Sequence, residues 1–233
     1  MSKEYPVKID ILTLFPKMFE SVLGESILKR AQGKGALKIK VHDLRDWTFD
    51  NHRSADDRPF GGGAGMLLKI EPVALALTEL TAAKRKTAKV ILLTPQGKKL
   101  DQKLVKSLAK EKELILICGH YEGFDERIRG LVDEEISIGD YILTCGEIPA
   151  MALVDSVARL IPGVLGREDS VVSESFEKSL LEYPQYTRPA DFDGMKVPDV
   201  LLSGDHKKIE EWRRAEALKR TKQRRPDLLK KKG

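Results

Sequence analysis

The sequence alternates short apolar runs with segments of helical periodicity. Five runs predict β-strands at residues 7–14, 36–44, 89–93, 113–118 and 134–143. Apolar residues at helical spacing predict helices at residues 16–31, from about Glu71 onwards, and at 147–163. The apolar face predicted for the first helix contains Met18, Phe19, Val22, Ile27 and Leu28. Such alternation is typical of an α/β fold whose parallel sheet is covered by helices on both faces.

The last part of the chain differs in composition. Residues 166–176 are largely small, polar and acidic, which predicts a linker between a first domain (1–165) and a smaller, mostly helical second domain (177–233). A basic helix is predicted from about His206, with Asp205 as its N-cap. Residues 207–233 carry twelve Lys or Arg and four Asp or Glu, a net charge of +8 in a chain of net +5. This asymmetry suggests a nucleic-acid contact, and a solvated basic helix is the alternative.

Three predicted strands run directly into glycine-containing turns. These turns read TPQGK (94–98), GHYEG (119–123) and GDYILTCGE (139–147). In open α/β sheets, ligands bind outside the carboxyl ends of the strands. Any single turn is explained by glycine ending a strand, but three such turns favour one small-molecule site made of backbone groups.

A further glycine-rich segment reads NHRSADDRPFGGGAGM (51–66). Glycine-rich loops often expose backbone N–H groups to phosphate. This one lacks the Lys-Ser/Thr of a P-loop, because Gly65 is followed by Met66, Leu67, Leu68 and Lys69. A nucleotide hydrolase built on this loop is therefore disfavoured.

Composition excludes several other classes. No apolar run reaches the roughly 18–20 residues of a membrane span. The opening residues MSKEYPVKID contain no signal-peptide apolar region, so a cytoplasmic protein is expected. Cys118 and Cys145 are too few for a zinc set and are expected to be buried free thiols. No residue is assigned to a metal.

Eight motifs together resemble one known family. In chain order they are LFPKMFE, HRSADDRPFGGGAGM, LLTPQGK, CGHYEGFDERI, SIGDYILTCGEIPAM, VARLIPGVLG, YTRP and VPDVLLSGDH. They are similar to the motifs of bacterial tRNA (guanine-N1)-methyltransferases of the SPOUT superfamily, which methylate the guanine 3′ of the anticodon (position 37). The resemblance covers nearly the whole chain.

This resemblance implies a fold and a cofactor. The parallel sheet would be tied in a deep trefoil knot, an exception to the usual unknotted topology. S-adenosylmethionine would bind in the knot, through the three turns already described. The cofactor-binding residues implied are Pro95, Gly97, Gly119, Tyr121, Glu122, Gly123, Ile138, Gly139, Asp140, Tyr141, Ile142, Leu143, Gly146 and Pro149.

The resemblance also implies a reaction. Guanine N1 must lose its proton, which places negative charge on O6, so the site needs a base and a cation. Arg159 in VARLIPG matches the catalytic Arg of the family, with a local helix pair to Asp155 as the alternative. The family places an Asp before Ser-Phe as the base. Here SESF places Glu174 at that position, and Asp169 is the second candidate.

The remaining expectations concern substrate and partners. The active enzyme would be a homodimer with a shared active site, and magnesium would be associated with catalysis. The basic helix would bind the anticodon stem-loop of tRNA. The expected tRNA-binding residues are Arg53, Asp56, Asp57, Arg58, Gly61, Gly62, His206, Arg213 and Arg214. Arg–Asp pairs that tie down the glycine-rich loop, and an RNA-binding protein without catalysis, are the alternatives.

Overall fold

The computed structural model describes residues 7–82, 88–165, 175–176 and 179–229, in two compact units, Met1–Gly166 and Arg167–Gly233. The strands of the first unit are β1 (Val7–Thr13), β2 (Leu37–Asp43), β3 (Asp56–Asp57), β4 (Leu67–Leu68), β5 (Lys89–Lys99), β6 (Glu113–Cys118) and β7 (Glu134–Ser137). Its α-helices are α1 (Glu20–Leu23), α2 (Ser26–Gly33), α3 (Ile70–Ala82), α4 (Gln102–Leu108) and α5 (Glu147–Ala158). Short 3-10 helices span Pro16–Phe19, Leu44–Trp47 and Glu126–Leu131.

The first unit is built on a five-stranded sheet in the order β2-β1-β6-β5-β7. Every neighbouring pair in this sheet is parallel. The α/β class and the parallel sheet are therefore confirmed. Because parallel strands all end at one edge, the loops after β5, β6 and β7 leave the sheet side by side.

Both faces of this sheet are covered, as the near-continuous apolar strands predict. Alternate residues of β6 point to opposite sides: Leu114 and Leu116 join one core cluster and Ile115 and Ile117 the other. Buried residues of α2, α4 and α5 belong to the first cluster. Those of α3 belong to the second. The sheet is thus the middle layer of three.

The single helix predicted over residues 16–31 was wrong. The 3-10 helix Pro16–Phe19 is followed by the short α1, which ends at Leu23, and α2 begins at Ser26, whose φ is +52°. The change of direction leaves Met18 and Val22 each 38% exposed, although Phe19 and Leu28 are buried. Helical spacing alone did not reveal this break.

Three other element boundaries also differ from the prediction. The strand predicted at 134–143 ends at Ser137, where the Ser137 hydroxyl accepts a hydrogen bond from the Gly139 N–H (3.2 Å) and turns the chain. Helix α5 ends at Ala158, and reverse-turn hydrogen bonds carry the chain on to Pro162-Gly163. Strand β5 is longer than the predicted 89–93, since Lys98 and Lys99 pair with β7 after a register shift.

In its described residues, the second unit contains a β-hairpin with two-residue strands, two α-helices and a 3-10 helix. Its elements are β8 (Asp191–Phe192), β9 (Met195–Lys196), α6 (Asp199–Leu202), α7 (His206–Arg224) and a 3-10 helix at Pro226–Leu229. The side chain of Asp205 accepts a hydrogen bond from Lys208 N at 3.1 Å, which confirms the predicted N-cap of α7. Buried Thr221 anchors α7, because its hydroxyl accepts a hydrogen bond from Leu181 N at 2.8 Å. Among the described residues, no helix is long and apolar enough to cross a membrane.

Gly97 allows two parts of the main chain to touch. A Cβ built there would lie 2.5 Å from the carbonyl carbon of Glu135 and would also collide with the backbone nitrogen of Ile136. Both obstacles are backbone atoms within a sheet, so they cannot move aside as a flexible side chain would. Glycine at this position is therefore a packing requirement of the β5–β7 junction.

We expect Gly97→Ala to destabilise the protein by about 1–3 kcal/mol, the usual cost of overpacking a close contact. Gly130→Ala is the matched control, because a Cβ there would meet nothing within 4 Å. Urea denaturation of both variants and the wild type checks this expectation. Equal midpoints for Gly97→Ala and Gly130→Ala would contradict the proposed backbone contact.

Candidate active site

A cavity of about 500 Å³ lies at the carboxyl edge of the sheet, beside the ends of β5, β6 and β7. Residues of all three glycine-containing turns line it. Most of the residues predicted to bind the cofactor line this cavity. They are Pro95, Gly119, Tyr121, Glu122, Gly123, Ile138, Gly139, Tyr141, Ile142, Leu143, Gly146 and Pro149. This volume falls within the usual range for small-molecule sites, about 300–1,000 Å³.

Two of the predicted cofactor residues do not line the cavity. Gly97 packs against the backbone of β7, as described above. Asp140 is exposed and pairs with Lys99 at 3.1 Å. Gly97 is therefore part of the β5–β7 junction, and Asp140 lies on the protein surface.

A second close backbone contact shapes the cavity. Gly146 N donates a hydrogen bond to Gly119 O at 2.7 Å. A Cβ on Gly146 would lie 2.6 Å from Gly119 N and 2.8 Å from Cys118 Cα. Since Gly146 also caps α5, this contact joins the start of that helix to the end of β6. The turns after β6 and β7 are thus held together by main-chain atoms.

A buried hydrogen bond fixes the first residue of α5. Glu147 is fully buried, and its Oε1 accepts a hydrogen bond from the Thr13 hydroxyl at 2.6 Å. Thr13 ends β1, so this bond ties that strand to the helix that follows the cavity. Burial raises the pKa of the neighbouring Cys118 thiol well above its usual value, and the Glu147 carboxylate adds to this rise.

Tyr121 connects the cavity to residues outside it. Its φ is +61°, an uncommon value for a non-glycine residue. Burial raises the pKa of its hydroxyl, and the nearby Asp56 raises it further, whereas Arg45 lowers it. The His120 ring lies edge-on to the Tyr121 ring, with the ring centroids 4.8 Å apart. It is also tilted against the Phe15 ring, with the centroids 4.6 Å apart. This cluster places Asp56 of the glycine-rich segment beside a cavity residue.

Backbone hydrogen bonds attach the glycine-rich segment to the same cavity. Glu122 N donates to Met66 O at 3.1 Å, and Leu68 N donates to Gly123 O at 3.0 Å. A Cβ on Gly65 would collide with the Glu122 side chain, so the two loops lie in direct contact. The segment predicted to bind substrate therefore borders the predicted cofactor site.

The substrate residues predicted within this segment lie in different environments. Arg53 pairs with Asp46 at 2.5 Å, which is the loop-fastening role offered as its alternative. Arg58 is exposed, and its N–H donates to Asp57 at 2.7 Å. Gly61 and Gly62 have φ values of +84° and +81°, which favour glycine. Arg58 and the glycines thus face solvent beside the cavity.

The predicted catalytic residues are only partly described. Arg159 follows α5 as its C-cap, is half-buried, and donates its backbone N–H to Asp155 O at 3.2 Å. Glu174 and Asp169, the two candidate bases, lie outside the described residues. Of the second unit's predicted RNA contacts, His206 and Arg214 are exposed, while Arg213 lies over the Tyr183 ring at 4.9 Å.

Sequence reasoning missed Arg129, which lines the cavity without belonging to any predicted site. Its guanidinium donates to Glu135 and, at 2.6 Å, to Gln96 Oε1. It also pairs with Glu126 at 2.9 Å and lies 5.1 Å from the centre of the Phe124 ring. One planar fork thus joins the chain segments at β5, at β7 and after β6. Three-residue spacing from Glu126 was the only signal in the sequence.

Comparison with known proteins assigns the chain to a family. A family model described as "tRNA (Guanine-1)-methyltransferase TrmD" matches residues 7–231. The tRNA (guanine-N(1)-)-methyltransferase of Geobacillus kaustophilus is 61% identical over 224 residues, 96% of this chain and 91% of that protein. Those of Dictyoglomus turgidum and Bacillus subtilis are each 57% identical over 225 residues, covering 91% and 93% of those proteins.

The fold and cavity define an α/β protein with a candidate ligand site at the carboxyl edge of a parallel sheet. The chain belongs to the tRNA (guanine-1)-methyltransferase family, as the resemblance indicated.

We expect Arg129→Lys to weaken binding of S-adenosylmethionine by about tenfold, since Lys keeps the charge but loses the fork that holds three walls of the cavity. Arg127→Lys is the control, because Arg127 is more exposed and pairs locally with Asp125 at 2.6 Å. Isothermal titration calorimetry compares the two. Unchanged affinity for S-adenosylmethionine in Arg129→Lys would show that the contacts of Arg129 do not shape the cavity.

Proposed function

We propose that this protein transfers a methyl group from S-adenosylmethionine to N1 of the guanine 3′ of the anticodon, position 37, in tRNA. The observation that carries the proposal is the family match over residues 7–231, joined to a cavity at the carboxyl edge of the sheet. The named relatives are tRNA (guanine-N(1)-)-methyltransferases. The choice of cofactor, position and mechanism goes beyond those names.

The lining residues suit a compact nucleoside ligand. Ile138, Leu143 and Pro149 offer apolar surface for a flat base, and the turns supply backbone groups for its polar edge. Glu122 and Glu126 are carboxylates able to accept hydrogen bonds from hydroxyl or ammonium groups. S-adenosylmethionine supplies a methyl group that its sulfonium already activates.

The two backbone contacts at Gly97 and Gly146 support the proposed trefoil knot. Each brings a loop against the main chain of a neighbouring strand or turn closely enough to exclude a Cβ. A deep knot requires such crossings, because one chain segment must pass through a loop of another. The knot would make the cavity rigid before the ligand arrives.

The chain's own residues would then carry out proton removal and charge stabilisation. A carboxylate takes the proton from N1 only if it is placed at N1–H, and a linker carboxylate, Glu174 or Asp169, is proposed for that role. Arg159 would hold the negative charge that moves to O6. One such preorganised donor is typically worth about 3–4 kcal/mol in the transition state.

The tRNA would contact both units. Exposed Arg58 and the glycines of its loop would meet phosphate or base edges beside the cavity. The exposed cations of α7, among them Arg214, would bind the phosphates of the anticodon stem-loop. Because enzymes that modify tRNA act where tRNA is used, we expect the protein in the cytoplasm.

We also propose a homodimer with a shared active site. Large apolar side chains of the first unit are exposed, among them Ile142 (80%) and Ile148 (45%) beside the cavity. Such side chains favour burial in an interface. No group of three potential metal ligands occurs among the described residues, and no step of the proposed mechanism uses magnesium.

Methyl transfer to unmodified tRNA tests this function directly. The purified protein, S-adenosylmethionine and an unmodified tRNA transcript should yield 1-methylguanosine, identified by mass spectrometry of the digested RNA. A transcript with adenosine in place of the target guanosine should yield none. Binding of tRNA without methylation would favour the non-catalytic alternative.

We expect S-adenosylhomocysteine to protect Cys145 from alkylation by iodoacetamide. Cys145 lines the cavity and is half-buried, so a bound ligand would cover it. Cys118 should react slowly with or without ligand at pH 8, because burial raises its thiol pKa. Peptide mass spectrometry reports both sites. Equal Cys145 labelling with and without saturating ligand would contradict this position for the cofactor.

We expect Glu174→Gln to reduce single-turnover methyl transfer by at least about 100-fold, while tRNA affinity changes little, because a base acts only as N1–H is lost. Asp169→Asn is the matched comparison and should stay close to wild type. Rates at several pH values check the assignment. The reverse ranking would make Asp169 the base, and full activity of both variants would direct attention to Asp56 or Asp57.

A further inference from the structure

Phe60 is the most exposed large apolar side chain of the described residues. Its relative exposure is 102%, against 87% for Phe49, the next in rank. Leaving a phenylalanine in water forgoes the stabilisation that burial of so large a side chain gives. An exposed aromatic ring at one defined point of a loop therefore indicates a contact outside this chain's own fold.

A hydrogen-bonded turn holds Phe60 outward. Gly62 N donates to Pro59 O at 3.2 Å, which closes a four-residue turn with Phe60 and Gly61 at its centre. Gly61 has a φ of +84°, the value that a type II turn requires at this position. Gly63 packs back on Pro59, because a Cβ there would lie 3.6 Å from the proline ring. Phe60 thus occupies the corner of a defined turn.

The base of this loop is fastened to the rim of the cavity. Strands β3 and β4 pair antiparallel on either side of it, Asp57 opposite Leu67. Met66 O accepts a hydrogen bond from Glu122 N, and Leu67 lines the cavity itself. The loop that carries Phe60 therefore starts and ends beside the proposed methyl-transfer site.

The chemistry around Phe60 matches a single-stranded nucleic acid. Exposed Arg58 lies two residues away, and exposed glycines follow Phe60. An exposed ring beside a cation is the combination by which proteins hold unstacked bases, with the ring on the base and the cation on the backbone. A protein partner would need a wider apolar area than one ring among glycines.

We propose that Phe60 stacks on a base of the anticodon loop next to the target guanine and so holds that loop open over the cavity. The inference rests on the proposed function and adds a positioning residue to it. Stacking needs an aromatic ring rather than mere apolar volume. A second copy of the chain covering Phe60 would need only apolar volume, and this difference separates the two occupants.

The test compares four variants of Phe60 in the full-length protein. Phe60→Trp and Phe60→Tyr should bind unmodified tRNA within about threefold of wild type. Phe60→Leu and Phe60→Ala should weaken binding by about 5- to 100-fold, the range for loss of one base–aromatic stack. Phe49→Leu is the control and should bind as wild type does. Thermal midpoints and S-adenosylmethionine affinity should not change, since Phe60 is fully exposed.

Anticodon stem-loop RNAs with one abasic nucleotide at a time locate the base. At one loop position near the target, the affinity difference between wild type and Phe60→Leu should vanish, because the abasic RNA lacks the base on which the wild-type ring would stack. Wild-type affinity of Phe60→Leu for the intact stem-loop would overturn the proposal. So would an affinity difference between wild type and Phe60→Leu that stays undiminished at every abasic position. A shift of the dimer dissociation in sedimentation of Phe60→Leu would assign the ring to a second copy. Failure of the wild type itself to bind tRNA would instead overturn the proposed function.

Discussion

The site depends on two places where main chain packs directly on main chain. At Gly97 the end of β5 touches β7, and at Gly146 the turn after β7 touches the end of β6. Neither contact leaves room for a Cβ, so the three loops around the cavity are fixed relative to one another by backbone atoms. Rigid walls of this kind reduce the ordering cost of binding a ligand, which is the physical meaning of preorganisation.

Side chains reinforce this arrangement from two directions. Arg129 joins Gln96, Glu126 and Glu135 on the wall of the cavity. Buried Glu147, which accepts a hydrogen bond from Thr13, holds the start of α5. Backbone hydrogen bonds then fasten the glycine-rich loop to the rim at Glu122. The proposed chemistry uses groups placed around this fixed centre, so positioning precedes reactivity.

The sequence predicted the features of the fold that depend on local sequence patterns. Alternating apolar runs predicted the parallel sheet, Asp205 predicted a helix start, and glycine-containing strand ends predicted turns that meet at one cavity. It did not predict the break at Ser26, because an unusual φ leaves no mark on helical spacing. Nor did it reveal Arg129 or the extension of β5, since both depend on partners far along the chain. The exposure of Phe60 could be read only from the fold.

Titration of Gly146→Ala with S-adenosylmethionine tests whether the backbone contact at Gly146 shapes the proposed cofactor site. Titration calorimetry should detect binding to the wild type and to Gly33→Ala, where a Cβ would meet nothing within 4 Å. Gly146→Ala should lose binding by at least about 100-fold while circular dichroism shows that it remains folded. Wild-type affinity in a folded Gly146→Ala would show that this backbone contact does not form the site.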